Sequence, residues 1–355
     1  MEHQQIPDKN IFETIRIERT ALTSEKKEFL KQRLDLKIQV EKKRRRNRSI
    51  FLFSKIVACM LLLIGIGISS VYYLKSNDPI SDYDQYITEA LEEFNEARPH
   101  LIRFNGEHYL LDKKEILQFS QNGNINIYDN QHKIRQTIAG STSLGQTPLS
   151  RLVVPNGSTG SVVLVDGTKI WANSGTVIVF PEKFEDRKRQ IYVEGEAYLE
   201  VAPDKQKPFL VQTKRYEVKV LGTSFNVSSY SSEPNPAVVL VSGQVEMNHN
   251  GQKIQMEPNE KVEINNGNIL KTSVRANDYI SWRNGILTFR NEPLLNVLQK
   301  LSRYYNLELQ HQTIPQGFMC SGKLNLNDDI NKVLESIKAT MSIELKLTDG
   351  KLSVR

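Results

Sequence analysis

The nearest approach to a reactive pair in this sequence is Glu194 and Glu196, two carboxylates on either side of one glycine in the run RQIYVEGEAYLEV. Paired carboxylates cleave glycosidic bonds when one donates a proton while the other acts from the opposite side of the bond. On an extended strand residues i and i+2 project side by side, so these two cannot flank a bond, and the pattern reads as a solvated sheet face. Neither Gly157-Ser158-Thr159-Gly160 nor Gly65-Ile66-Gly67 has the spacing and following lysine of a phosphate loop. No Gly-x-Ser-x-Gly nucleophile elbow occurs. The 6 histidines are scattered, without an i, i+4 pair beside a glutamate, and the 2 cysteines, Cys59 and Cys320, lack metal-ligand spacing. The residues therefore point away from catalysis and metal binding, and no cofactor is expected.

The element that orders everything else is Ile56 to Leu74, 19 residues without a charge in a chain that is 25% charged. As a helix it reaches about 28 Å, close to the roughly 30 Å hydrocarbon core of a bilayer. A cleavable secretory signal has a shorter apolar core near the start of the chain, so an uncleaved transmembrane helix, within residues 50–75, is the expectation. Before it stand Lys42, Lys43, Arg44, Arg45, Arg46 and Arg48; after it come Asp78, Asp82 and Asp84. By the positive-inside rule these basic topology determinants keep the N-terminus in the cytoplasm and place everything after about residue 75 outside. They also supply six of the positive charges behind the net +6, which leaves the rest of the chain near neutral. A nucleic-acid-binding face is not expected, whereas contact with the lipid bilayer is.

Residues 1–49 are too few to bury a core, yet they carry apolar residues: Ile11, Phe12 and Ile15, then, after a helix start at Ser24, Phe29, Leu30 and Leu34. One reading is a solvated tail; the sharper one is a helical segment that orders against another protein through these six side chains. Residues 76–99 read as a linker with a short helix over 82–97, ended by Pro99.

From His100 the apolar period changes to two. LIRFNGEHYLL predicts a hairpin with a two-residue Asn105-Gly106 turn, and VVLVDGTKIWA repeats the pattern with Asp166-Gly167. Alternation and turn residues continue to about residue 280, predicting a β-rich extension at 100–147 and an all-β domain at 148–280 of stacked short strands, solenoid-like or sandwich-like. Residues 286–355 then read as strand, helix, strand, strand, helix, strand, strand, a small α+β module with two helices on one face of a sheet, the helices capped by Asn291 and Asn327.

The blocks VPNGSTGSVVLVDGTKIWANSGTVIVFPEKF, RQIYVEGEAYLEVAPDKQKPFLVQT, VKVLGTSFNVSSY, VVLVSGQVEM and MEPNEKVEI, followed by LTFRNEPLLNVLQKLSRYYNLEL, resemble the FecR-type transmembrane anti-sigma factors: the FecR domain, then a C-terminal module similar to the short N-terminal domain of secretins and TonB-dependent receptors. The motif positions Pro155, Gly157, Asp166, Gly167, Trp171, Gly195, Glu196, Gly222, Thr223, Phe225 and Gly243 read as structural, with Trp171 offering a large ring to the core. Val165, Ala172, Leu199 and Asn259 depart from the family pattern conservatively. The N-terminal segment is shorter than in many relatives.

The resemblance implies a bacterial inner-membrane protein and no enzyme. Its cytoplasmic segment would hold an extracytoplasmic-function sigma factor, its periplasmic part would sense the signalling domain of a TonB-dependent outer-membrane transporter, and membrane proteases would complete signalling. The alternative is a membrane-anchored periplasmic protein that binds a glycan or envelope polymer, which would need exposed aromatics such as Tyr192, Tyr198 or Tyr230.

Overall fold

The computed structural model describes residues 24–76, 86–89, 96–112, 114–140, 149–310, 317–341 and 343–354. Two compact units, Met1–Asp78 and Pro79–Arg355, divide the chain. In the first, α1 runs as one helix from Ser24 to Ser76. Phe29, Leu34, Leu36, Ile38 and Val40 are exposed on it, as are Lys42, Lys43 and Arg44. Ile11, Phe12 and Ile15, and the side chains of Leu30, Arg45, Arg46 and Arg48, lie outside the described residues. Within Ile56–Leu74 the described side chains are those of Val57 and residues 59–70, all exposed. Among the described residues no helix is long and apolar enough to cross a membrane.

The second unit is mostly β. One sheet has the strand order β2 (His108–Leu110), β1 (His100–Ile102), β6 (Leu149–Val154), β9 (Thr176–Pro181), the first half of β10 (Arg189–Glu200), β11 (Phe209–Gln212), β12 (Glu217–Val220), β15 (Val245–His249) and β16 (Gln252–Met256). The other runs β5 (Ile134–Ile138), β4 (Ile125–Tyr128), β3 (Ile116–Phe119), β7 (Gly160–Val163), β8 (Lys169–Ala172), the second half of β10, β13 (Ser224–Ser229), β14 (Ala237–Ser242), β17 (Glu260–Asn265) and β18 (Asn268–Ser273). Strands of both sheets fill a single core, in which Phe180, Phe209, Phe225, Leu152 and Ile170 are wholly buried. The alternation that made these segments read as strands is the alternation between this core and the two outer faces.

The sheets are joined because β10 belongs to both, and the change occurs at Gly195. Its φ is +115°, and a Cβ there would lie 2.5 Å from Thr176 Oγ1 and 2.7 Å from Thr176 Cα. Only glycine can occupy that position without displacing backbone.

Two expectations about turns and packing are corrected. The Asn105-Gly106 and Asp166-Gly167 loops have three residues rather than two: Arg103 N–H donates to Glu107 O at 2.9 Å, and Leu164 N–H to Thr168 O at 2.8 Å. Asn105 and Asp166 accept the N–H two residues on, an interaction that a longer loop accommodates. Trp171 is half-buried on the outer face of the second sheet, not in the core. It stacks there on Tyr198, 5.5 Å between ring centroids, and Arg283 lies 5.2 Å from its ring and 3.8 Å from that of Tyr198. Ile280 and Trp282 cover the same patch. On the first sheet's outer face Ile87, in the helical turn α2 at residues 86–89, packs with Val153, Val177 and Tyr192.

After the short helix α3 (Ala276–Tyr279) and a 3-10 turn at Ser281–Asn284, the C-terminal module runs β19 (Ile286–Pro293), α4 (Leu294–Tyr305), β20 (Glu308–Leu309), β21 (Met319–Asn325), α5 (Ile330–Met341), β22 (Leu345–Thr348) and β23 (Lys351–Val354). Its strands form two sheets, β19–β21 and β20–β23–β22, instead of one, because the two-residue β20 pairs in parallel with β23. Neither expected asparagine caps a helix. Asn291 sits in a bulge of β19 at φ +44°, and the first N–H of α4, from Leu294, donates to Phe318 O at 2.8 Å. At α5 the N-terminal acceptor is Asp329, whose Oδ1 takes Asn331 N–H at 2.9 Å.

Candidate functional site: the cleft between sandwich and module

One helix carries both the core and the boundary of the module. On α4 the residues Leu294, Val297, Leu298 and Leu301 are buried inward. The opposite stripe, Asn296, Gln299, Lys300 and Arg303, lines a cleft of about 770 Å³ whose other wall is the outer face of the second sheet. Spacing of three and four residues is what places these four side chains on one face.

Arg303 is the residue that fixes the two walls. Its guanidinium carbon lies 3.9 Å from the centre of the Tyr230 ring, and Nη1 is 2.6 Å from Glu233 Oε1. Its own carbonyl accepts the N–H of Gly157 at 2.8 Å. Within the helix end that carbonyl is reached only by the C-cap N–H of Asn306, at 3.3 Å, so the shorter bond from Gly157 caps α4 from a different part of the fold. Gly157 has φ +82°, and a Cβ there would stand 3.2 Å from Asn306 Cβ, so its small size permits the approach. Pro155, buried just before it, accepts Ser158 N–H and closes the turn that aims Gly157. The Tyr230 hydroxyl donates to Ser174 O at 2.9 Å, and burial pushes its phenol well above the usual range.

Glu196 lies at the cleft floor. Its carboxylate accepts Asn173 Nδ2 at 2.8 Å and Asn226 Nδ2 at 3.0 Å. Burial raises its pKa above the ordinary carboxylate value, opposed by those two amides and by the charges of Lys300 and Arg303. Lys300 is paired with Glu292 at 2.5 Å; burial acts to lower its pKa, but Glu292 and Glu196 prevail and hold it up. Glu194 is buried and accepts Ser231 N–H at 2.6 Å. The pair is thus separated by the kink at Gly195 and tied to different loops, and neither carboxylate belongs to a solvated sheet face.

The remaining motif residues serve the frame. Asp166 pairs with Arg189 at 2.8 Å, and Arg189 also donates to Ala202 O and Lys207 O, tying three loops together. Thr223 Oγ1 donates to Gln244 O at 2.9 Å; Gly222 abuts Pro203, and Gly243 abuts Thr223. Phe225 fills the core. Tyr192, Tyr198 and Tyr230, the aromatics that a glycan-binding surface would have exposed, are all buried. Arg303 and Glu233 were not singled out by sequence reasoning, and Tyr230 only as an aromatic that a glycan-binding surface would expose. The signal that could have found Arg303 was the polar stripe of α4, opposite the apolar one that identified the helix.

Among the described residues no group of His, Cys, Asp and Glu could hold a metal ion. The cleft contains no histidine or cysteine, and its charges are largely paired with one another: Arg303 with Glu233, Lys300 with Glu292, Arg290 with Asp278 and Lys261 with Glu263. Such an arrangement joins two bodies and offers a recess between them.

Comparison with known proteins agrees with this division. Residues 150–246 match the family model described as FecR protein, and residues 286–354 match that described as FecR, C-terminal. No curated protein matches the chain. A 1.65 Å crystal structure from Parabacteroides distasonis ATCC 8503, itself described provisionally as an anti-sigma factor, is 32% identical, with a TM-score of 0.55; the match covers 58% of this chain and 98% of that one. A 2.50 Å crystal structure under the same description gives the same values. The sandwich, the module docked on it by Arg303 and Gly157, and these matches together make the chain a member of the FecR family of anti-sigma factors.

Proposed function

We propose that the chain is a single-pass inner-membrane anti-sigma factor. Ile56–Leu74 crosses the bilayer, the segment before it holds an extracytoplasmic-function sigma factor in the cytoplasm, and Pro79–Arg355 receives a periplasmic signal from the signalling domain of a TonB-dependent transporter. Membrane proteases then release the sigma factor. The observation that carries this reading is the exposure of Phe29, Leu34, Leu36, Ile38 and Val40 on α1, apolar side chains with no core to enter. A helix with such a surface gains by covering it with a partner. The positive residues that follow, and the uncharged run after them, support the orientation.

Co-purification with candidate sigma factors tests it. Burial of each large side chain is worth about 1.5–3 kcal/mol, so Phe29→Asp with Leu34→Asp should abolish a micromolar complex. Capture unaffected by the double change would remove α1 as the interface. Reception outside is tested by truncation after Gly285, a cut that leaves Trp282 covering Tyr198. We expect sigma binding to persist and transporter-domain binding to vanish. Unchanged transporter-domain affinity would move the receiving surface to the sandwich.

A further inference from the structure

The cleft has a hydrogen-bonding capacity that docking does not use. Among the described residues the side-chain amides of Asn296 and Gln299 and the hydroxyl of Tyr304 line it without a hydrogen-bond partner. Glu196 accepts two amide bonds, leaving about half of the roughly four acceptor positions of a carboxylate open. The volume of about 770 Å³ falls within the roughly 300–1,000 Å³ of small-molecule sites.

Charge restricts what can enter. An anion would face Glu196 at the floor, and a cation would face Lys300 and Arg303, which already have their own carboxylates in Glu292 and Glu233. The ligand that suits these groups donates to Glu196 and both donates to and accepts from the two carboxamides, and needs no charge of its own to do so. Adjacent hydroxyls do all three. The half-buried ring of Tyr304, edge-on to Tyr305 at 5.2 Å, adds an apolar surface for the C–H face of a pyranose.

The geometry points to a binding site for a neutral saccharide in this cleft, with Glu196, Asn296 and Gln299 hydrogen-bonding its hydroxyls and Tyr304 against a ring face. The site goes beyond sigma capture and transporter recognition and does not depend on either. Because its walls belong to the sandwich and to α4, a bound saccharide strengthens their docking.

The test is calorimetric titration of the full chain, in a detergent without a sugar headgroup, with cellobiose, maltose and N,N′-diacetylchitobiose, and with glucuronate and glucosamine as charged controls. We expect saturable binding of at least one neutral disaccharide and none of the charged sugars at the same concentrations. Asn296→Ala with Gln299→Ala should weaken it about tenfold or more, as loss of two hydrogen bonds implies, at unchanged melting temperature. Gln299→Glu, close in shape and unable to donate, should weaken it too, and decides the matter if the double variant melts early. Absence of saturable binding by all three disaccharides, equal binding of the charged sugars, or unchanged affinity in a folded variant would each overturn the proposal.

Discussion

Phe29 and Phe225 are the same residue under opposite conditions. On α1 the ring of Phe29 is 61% exposed, whereas in the sandwich Phe225 is wholly buried between two sheets. The sandwich buries most of its apolar side chains by itself, and a patch on the outer face of each sheet is covered as well, by Ile87 on one side and by Trp282 on the other. α1 leaves its apolar side chains open. The sandwich draws its stability from its own core, whereas α1 has an apolar surface that, on the function proposed above, a partner covers.

The comparison breaks most visibly in the core. Phe225→Ala should cost about 3–5 kcal/mol, read as a fall in the denaturation midpoint of the unit Pro79–Arg355, since a cavity opens where both sheets meet. A loss below about 1 kcal/mol would mean that the core is less tightly packed than its burial implies. Gly195→Ala comes next: a left-handed backbone position and a collision with Thr176 together should cost on the order of 1–3 kcal/mol. Arg303→Ala should have a smaller and more local effect, faster amide exchange across residues 286–354 with the sandwich unchanged, because it leaves Glu233 without its cation and uncovers Tyr230. Equal loosening of both parts would refute a local role for Arg303.

A still smaller effect follows from pH. Burial raises the pKa of Glu196, so the folded state binds this proton more tightly than the unfolded one. The wild type therefore loses stability as pH rises from the ordinary carboxylate range through the raised value. Glu196→Gln has no such titration. The stability of the variant relative to wild type should shift in its favour across that window and level off above it; a pH-independent difference would contradict the burial. Smallest of all, Phe29→Asp with Leu34→Asp should leave the unfolding of Pro79–Arg355 within about 0.5 kcal/mol of wild type, since nothing is uncovered by a change at an exposed site.

Much of the sandwich was legible in the sequence because alternation and turn chemistry are local. Asn250-Gly251 and Asn266-Gly267 do make two-residue turns, with both residues at positive φ. What escaped depended on contacts between distant segments. Trp171 looks like a core residue until Arg283 and Trp282, more than a hundred positions later, cover the face on which it lies. Asn291 looks like a helix cap, but β19 continues past it and Phe318 supplies the acceptor. The Arg303 socket is assembled from Gly157, Tyr230 and Glu233, and no window of sequence contains them together. For α1 the reverse holds: its apolar residues were visible in the sequence, and on the function proposed above what covers them belongs to another molecule.

The sharing of β10 between two sheets bears on how the sandwich comes to exist. Successive hairpins alternate between the sheets, β11 with β12 in one, β13 with β14 in the other, then β15 with β16 and β17 with β18. Pairings therefore stay short along the chain, and the most distant partners in the ladder are His100 and Val153. Loop-closure cost grows with separation, so a β structure wound in this way avoids the slow long-range searches of most sandwiches. A polypeptide emerging N-terminus first can deposit each hairpin on the preceding pair, and β10, once laid down, is a template on which both sheets grow. Each hairpin laid down in this way pairs the edge left free by the previous hairpin of its own sheet, as β15 does on β12 and β17 on β14, so those edges stay open only briefly.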